Sequence, residues 1–542
     1  MTRAATSDYW YKNAIFYEVD VETFRDADGD GVGDFQGLVS RLDYLERLGV
    51  DCLWLPPFYP SPGRDNGYDV ADYYDVDSRY GTLGDFVTLV HEAHSRGLHV
   101  LIDMVVNHTS DEHPWFRAAR RGEEPYRDYY VWSADPPEPD AAPIFPDSED
   151  SVWTYDDEAE AYYYHRFYDF EPGLNLSNPD VRAEIRKIMG FWLAVGVDGF
   201  RFDAAPIMIS KKGLESTAME RPHDVFKEFR RFVERRSENV VLLGEAGGGP
   251  TEVGAFYGDG DELDMLFNFL LADYVFHSLA TGDSGTLAQG LETLPELPET
   301  GQWATFLRNH DELNLEWLTE SQRQDVFDAF APSEEGRVFG RGIRRRLAPM
   351  LDGDRQRILQ AFSLLLTLPG APLIYYGDEI GMGDDLSLDG RSAVRTPMQW
   401  TDGHNAGFSP APSEELPLPV IDDGPYGYET VNVEAQRQDE NSLLTELERL
   451  IWTRKEHPEF GWGEYEILDT GSHAVFAHRC AGESASIALH NFGDEPHAVT
   501  LELETDATRL IDVLKARRHA VEDGRVGFEL DAYDYRWLSE VE

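Results

Sequence analysis

The sequence predicts an α/β chain built on an eight-stranded parallel (β/α)8 TIM barrel. An inserted domain, a small helical subdomain and a C-terminal antiparallel β domain complete it. Three observations carry this. Four apolar runs end abruptly in polar residues: 100–106 in Asn107-His108, 199–202 around Arg201 and Asp203, 241–244 in Glu245, and 306–309 in His310-Asp311. Strands of a parallel barrel are buried on both faces, so charge gathers at their C-terminal ends, where barrel active sites lie. Eight such runs can be counted, at 14–19, 52–56, 99–108, 199–204, 241–245, 264–269, 303–310 and 372–379, with helical patterns between most of them. Two regions break the rhythm. Residues from about 109 to 177 are rich in Asp, Pro, Tyr and Trp, and from about 462 short alternating strands appear. The predicted division is therefore a barrel at 1–108 and 178–461, an insertion at 109–177, and a β domain at 462–542. A connection at about 312–352 is long for a strand-to-helix loop and is predicted as a small helical subdomain over the barrel end.

The polar ends point to chemistry. Arg201 and Asp203 lie two apart on a predicted strand, so they share a face. A guanidinium beside a carboxylate lowers its pKa and keeps it ionised. Taken alone, the pair serves a structural reading as well as a catalytic one. Glu245 follows Leu242-Leu243-Gly244, an apolar setting that raises a carboxyl pKa. Asp103 is expected to support the barrel end. The loop 26–34 carries Asp26, Asp28, Asp30, Val32 and Asp34, with Gly31 at the sixth position. Alternating oxygen ligands and that glycine match the first half of an EF-hand calcium loop. Gly37 stands where the bidentate glutamate belongs, so the loop is not an EF-hand.

These four strand ends resemble, in order and spacing, the four signature regions of glycoside hydrolase family 13, the α-amylase family. The run 173–179, Gly-Leu-Asn-Leu-Ser-Asn-Pro, is similar to a fifth. Retaining glycoside cleavage needs a nucleophile and an acid/base about 5 Å apart. The resemblance implies Asp203 as nucleophile, Glu245 as acid/base and Asp311 as the third carboxylate, with Arg201, His108 and His310 at the same sugar. Arg64-Asp65-Asn66-Gly67-Tyr68-Asp69 with Val394-Arg395-Thr396-Pro397 resembles the pocket cap of exo-acting members. It implies that Asp65 binds sugar hydroxyls, Tyr68 stacks under the ring and Arg395 partners Asp65. In the trehalose synthase and α-glucosidase branch a loop like 26–34 binds Ca2+ or Mg2+. Carried over, its ligands are Asp26, Asp28, Asp30, the Val32 carbonyl and Asp34. The ion would be structural, and no organic cofactor is implied. The implied substrates are small α-glucosides: maltose, trehalose or short oligosaccharides. The acceptor decides between maltose–trehalose interconversion and α-glucosidase hydrolysis. The runs Ala204-Ala205-Pro206-Ile207 and Ala246-Gly247-Gly248-Gly249-Pro250 depart from the trehalose synthase pattern on the acceptor side, where smaller residues would admit water.

Composition bounds the setting. The 542 residues hold 102 Asp and Glu against 47 Lys and Arg, a formal charge of −55. This excludes a nucleic-acid binder, which needs basic faces. The local cluster Arg344-Arg345-Arg346 is expected to pair with nearby acids. Cys52 and Cys480 are the two cysteines, so there is no disulfide framework, and Cys52 reads as a small core residue. Residues 1–11 lack an apolar export core, and no apolar run reaches 18 residues. The expected location is the cytoplasm, with no membrane partner. A folded chain this acidic repels itself at low salt, and about 1 M salt shortens the screening length to about 3 Å. A halophilic cytoplasm is therefore expected. Circular dichroism during dialysis from molar KCl into dilute buffer should show loss of folded signal. Full retention of fold and activity without salt would contradict it.

Overall fold

In the computed structural model, which describes residues 7–138, 141–145, 148–237 and 239–541, the first half of each βα unit supplies one strand of a closed barrel. The strands are β1 Phe16–Glu18, β2 Cys52–Leu55, β3 His99–Met104, β4 Gly199–Phe202, β5 Val241–Gly244, β6 Met265–Phe267, β7 Gln302–Phe306 and β8 Ala371–Tyr375. Each pairs in parallel with the next, and β8 closes on β1. All residues of β1, β2, β4, β5, β6, β7 and β8 are buried. This is why these runs are mostly apolar rather than alternating, with Glu18 and Arg201 as buried charged exceptions. The register places Asp103 of β3 beside Arg201 of β4 and Arg201 beside Leu243 of β5. Part of the N-terminal stretch read for an export signal, residues 1–6, lies outside the described residues.

Helices between the strands begin and end on local signals. Thr82 and Asp85 form a reciprocal capping box ahead of Leu83–Ser95, and Asn178 with Pro179 at the first turn opens Pro179–Val195, which Gly196 closes in a left-handed conformation. The helix expected over 35–48 is two helices, Phe35–Val39 and Leu42–Leu48.

Within 109–177 lies a three-stranded antiparallel sheet in the order Trp132–Ser133, Ala161–Tyr164, Trp153–Asp156. The segment 312–352 differs from the expected helical subdomain. It holds one long helix, Glu320–Phe330, and a three-stranded sheet of Leu313–Asn314, Gly342–Ile343 and Arg337–Val338. Two-residue strands carry almost no alternation, so periodicity could not announce them. Near the C-terminus, a six-stranded sheet runs from Glu464–Ile467 to Arg517–Ala520, and His497–Glu502 pairs with Arg525–Leu530. Their inner faces share one apolar cluster that includes Leu489, Leu501, Phe528 and Leu538.

Cys52 and Cys480 are free and buried. Arg345 and Arg346 pair with Asp384 and Asp378, whereas Arg344 donates to the Leu386, Leu388 and Glu335 carbonyls. Among the described residues, no helix is long and apolar enough to cross a membrane.

Gly199 opens β4 because nothing larger fits. A Cβ there would lie 2.4 Å from the Val241 carbonyl oxygen and 2.6 Å from Leu101. Gly199→Ala should lower unfolding free energy by about 1–3 kcal/mol, read from urea denaturation in molar KCl. No loss of stability would show that β4 and β5 separate freely here.

Candidate active site

The C-terminal ends of the barrel strands converge on a cavity of about 360 Å³. It is lined by Asp65, Tyr68, His108, Asp203, Glu245 and Asp311, with Phe145 and Phe167 from the insertion. A cavity this size suits a small ligand rather than a polymer.

Its floor is built on one guanidinium. Arg201 is 2% exposed. Its Nη1 donates to Asp103 Oδ1 at 2.7 Å and to Asp203 Oδ1 at 2.6 Å, and its Nη2 donates to Glu245 Oε2 at 2.7 Å. Strand register explains the first contact, alternation along β4 the second, and the position just past β5 the third. Holding one carboxyl on each Nη brings Asp203 and Glu245 close, as the roughly 5 Å spacing of a retaining pair requires. The chain turns sharply after Asp203: Ala204 has φ 47°, a left-handed conformation that costs a non-glycine residue roughly 1–2 kcal/mol. The turn directs the Ala204 N–H to Glu245 Oε2 at 3.1 Å.

The three carboxyls at the cavity have separate environments. Burial pushes Glu245 up to about 6, against the pull of Arg201 and with the help of Asp203 and Asp311. Burial also raises Asp203, and Arg201 only limits the rise. The expectation that Arg201 would leave Asp203 below the ordinary carboxylate range is thus corrected. That guanidinium is shared among three carboxyls, and complete burial outweighs a one-third share. Asp311 goes the other way. Burial opposes it, but Arg391, His310 and Arg395 hold it well below the usual range. Arg391 Nη1 lies 2.8 Å and Arg395 Nη2 3.1 Å from Asp311 Oδ1, and His310 Nε2 lies 3.3 Å from Oδ2.

The side walls are hydrogen-bonded in layers. Tyr68 stacks on His310 with ring centroids 5.7 Å apart, and its hydroxyl meets His310 Nε2 at 2.9 Å. His310 Nδ1 is held by Glu18. Burial opposes the charge on His310, but Asp311 and Glu18 raise its pKa on balance. His108 lines the cavity and is held neutral, with burial lowering its pKa to about 3. Asp65 reaches the cavity, yet its expected partner is displaced: Arg395 donates to Asp311 and to the His310 carbonyl rather than to Asp65. The larger cationic influence on Asp65 is Arg391, then Arg395.

Four contributors were missed. Arg391 bridges Asp311 and Glu312 and faces the Phe145 ring at 5.2 Å. Its signal was the four-residue spacing to Arg395. Glu18 was a lone acid in an apolar run. Lys212 and Trp317 left no signal, since lone residues in loops carry none. Trp317 lies beside the first glycine of the run: a Cβ on Gly247 would lie 3.2 Å from the Trp317 ring, and both residues line the cavity. Gly247 stays exposed, and Gly248 and Gly249 lie against Glu252 instead.

Away from the cavity, Asp26, Asp28 and Asp34 each bring a carboxylate oxygen within 4.8 Å of the others. An all-oxygen set of this kind fits a hard cation such as Ca2+ or Mg2+. Asp30 does not join it. Asp30 is exposed and its Oδ1 accepts the Val32 N–H at 2.9 Å.

Residues 19–329 and 343–463 match the model of the α-amylase catalytic domain, and 484–539 match a sucrose hydrolase-like C-terminal domain. The chain is 44% identical over 508 residues to the trehalose synthase/amylase TreS of Mycobacterium tuberculosis, covering 91% of this chain and 84% of that protein. It is 46% identical over 500 residues to the trehalose synthase of Thermus thermophilus, covering 91% and 52%. Among solved structures, the trehalulose synthase MutB from Pseudomonas mesoacidophila MX-45 superposes with a TM-score of 0.77 at 29% identity, covering 98% of this chain and 99% of that one.

Proposed function

Since the chain belongs to the α-amylase family of glycoside hydrolases, we propose that it is a retaining α-glucosyl-transferring enzyme that interconverts maltose and trehalose. The observation that carries the family-level chemistry to these residues is the sharing of Arg201 between Asp203 and Glu245. Asp203 attacks the anomeric carbon of the non-reducing glucose. The glycosidic C–O bond breaks, and Glu245 gives its proton to the leaving oxygen. Asp311, held ionised by three cationic groups, supports the positive charge that develops on the ring. The released glucose turns within the cavity. Its anomeric hydroxyl then attacks the glucosyl ester on Asp203 while Glu245 takes back the proton. Asp65 binds hydroxyls, His108 walls the cavity with both ring nitrogens held by the protein, and Tyr68 lies along the sugar face.

The relatives named as trehalose synthases support retention of the glucose. Trp317 stands beside Gly247 on the acceptor side and offers an aromatic wall to the turning glucose. The same reading gives the loop 26–34 a structural Ca2+ or Mg2+ held by Asp26, Asp28 and Asp34, bracing the segment that follows β1. The charge of −55 supports a high-salt cytoplasm as the working environment.

Incubation with maltose in molar KCl, with the sugars resolved over time, should give trehalose with little free glucose. Glucose accumulation would instead make the protein an α-glucosidase. Asp203→Ala should lower kcat by about four orders of magnitude or more while the circular dichroism spectrum is kept. Glu245 must carry a proton to act as an acid and titrates near 6, so kcat/KM should fall as pH rises through about 6. A profile flat to pH 8 would contradict this assignment.

A further inference from the structure

Lys212 is a buried lysine with no carboxylate bonded to its Nζ among the described residues. It is 1% exposed. Its Nζ donates to Asn107 Oδ1 at 2.6 Å and to the Ile207 carbonyl at 2.7 Å. A charge so placed is costly unless it is used. Its own segment is fixed, because the Lys212 N–H donates to Thr217 Oγ1 at 2.9 Å.

Beyond Asn107 the contacts continue into the cavity wall. Asn107 Nδ2 lies 3.2 Å from His108 Nδ1, and His108 Nε2 lies 3.2 Å from the Tyr68 carbonyl oxygen. Burial lowers Lys212 to about 7, and in either form its N–H groups can donate to the Ile207 carbonyl and to Asn107 Oδ1, so the Asn107 oxygen faces Lys212. Its amide N–H then points at His108 Nδ1, which must accept. A neutral imidazole has one proton, so that proton sits on Nε2 and faces the Tyr68 carbonyl. His108 is neutral because burial outweighs every other influence on it. The groups facing the ring are Lys212 through Asn107, Glu171 with Oε1 3.7 Å from Nε2, the Tyr68 backbone and the Phe167 ring. Glu171 is itself pushed toward its neutral form by burial and by Asp65.

We propose that Lys212 is a positioning residue: through Asn107 it sets which ring nitrogen of His108 carries the proton, and so clamps Tyr68 at the cavity wall. The chain of three polarised hydrogen bonds links the segment after the nucleophile strand to the end of β3 and then to the loop after β2. Its effect on turnover rests on the proposed glucosyl transfer, whereas the proton placement stands independently of it.

Asn107→Asp separates the two. An aspartate still accepts from Lys212, so the buried contact survives as an ion pair. It also presents an acceptor to His108 Nδ1, which must then carry the proton. The Tyr68 carbonyl loses its donor. Nitrogen-15 spectra of ring-labelled histidine, with His108 assigned by a His108→Gln variant, should show Nε2–H in the native enzyme and Nδ1–H in Asn107→Asp. At about pH 8, kcat/KM for maltose should fall roughly tenfold to a hundredfold with the melting temperature kept. The deficit relative to the native enzyme at the same pH should shrink as pH falls, because a second proton restores Nε2–H. Lys212→Met should give a mixture of the two tautomers, and this spectrum decides if Asn107→Asp does not fold. Native Nδ1–H, an unchanged His108 spectrum in either variant, or unchanged kinetics in a folded Asn107→Asp would overturn the proposal. The spectra decide the proton placement whichever sugar the native enzyme releases.

Discussion

The site depends on a single buried guanidinium that holds three carboxyls. Arg201 touches Asp103, Asp203 and Glu245 and is almost fully buried. Removing one partner of a buried pair costs roughly 3–5 kcal/mol, and here three carboxyls would lose their shared partner at once. The barrel supplies the precision. Strand register sets Asp103 beside Arg201, strand alternation sets Asp203 on its face, and the following strand delivers Glu245 from the other side. No loop could hold three like charges to one cation with the same economy of freedom.

Sharing also divides the labour among the acids. Glu245 is half-buried, takes one Nη, and sits near 6. Asp311 lies outside the reach of Arg201's hydrogen bonds but faces Arg391, Arg395 and His310 together, which keeps it ionised. Carboxyls only a few ångströms apart are thus set for different work by the number of cations each one faces. His108 stays neutral in the same cavity because burial, and then Lys212, outweigh the Tyr68 carbonyl.

Much of this was legible in the sequence, and the reasons are local. Barrel strands are short apolar runs with polar ends, so Asp203, Glu245, His310 and Asp311 announced themselves by breaking an apolar pattern. Glu18 broke the same pattern and was passed over because its run was read for the strand alone. What could not be read was assembly across the chain. Arg395 was assigned to Asp65, but in the fold Asp311 lies within its reach and takes it. The glycines after Glu245 were read as small residues that admit water, and no local signal showed that the distant Trp317 ring would lie beside Gly247. The direction in which Asp203 is shifted was misjudged for a related reason: the sequence shows one arginine beside one aspartate, not three carboxyls competing for it. Two-residue strands in 312–352 lay below the resolution of any periodic signal.

The central claim is that Arg201 holds Asp203 to attack while Glu245 keeps the proton. A slowly turned-over fluorinated α-glucosyl fluoride tests it directly, because it arrests a covalent glucosyl-enzyme. Proteolysis and mass spectrometry of the arrested enzyme should place one fluoroglucosyl group on the peptide containing Asp203. A label on the Glu245 or Asp311 peptide, or turnover of the reagent with no covalent adduct at any concentration, would contradict the account.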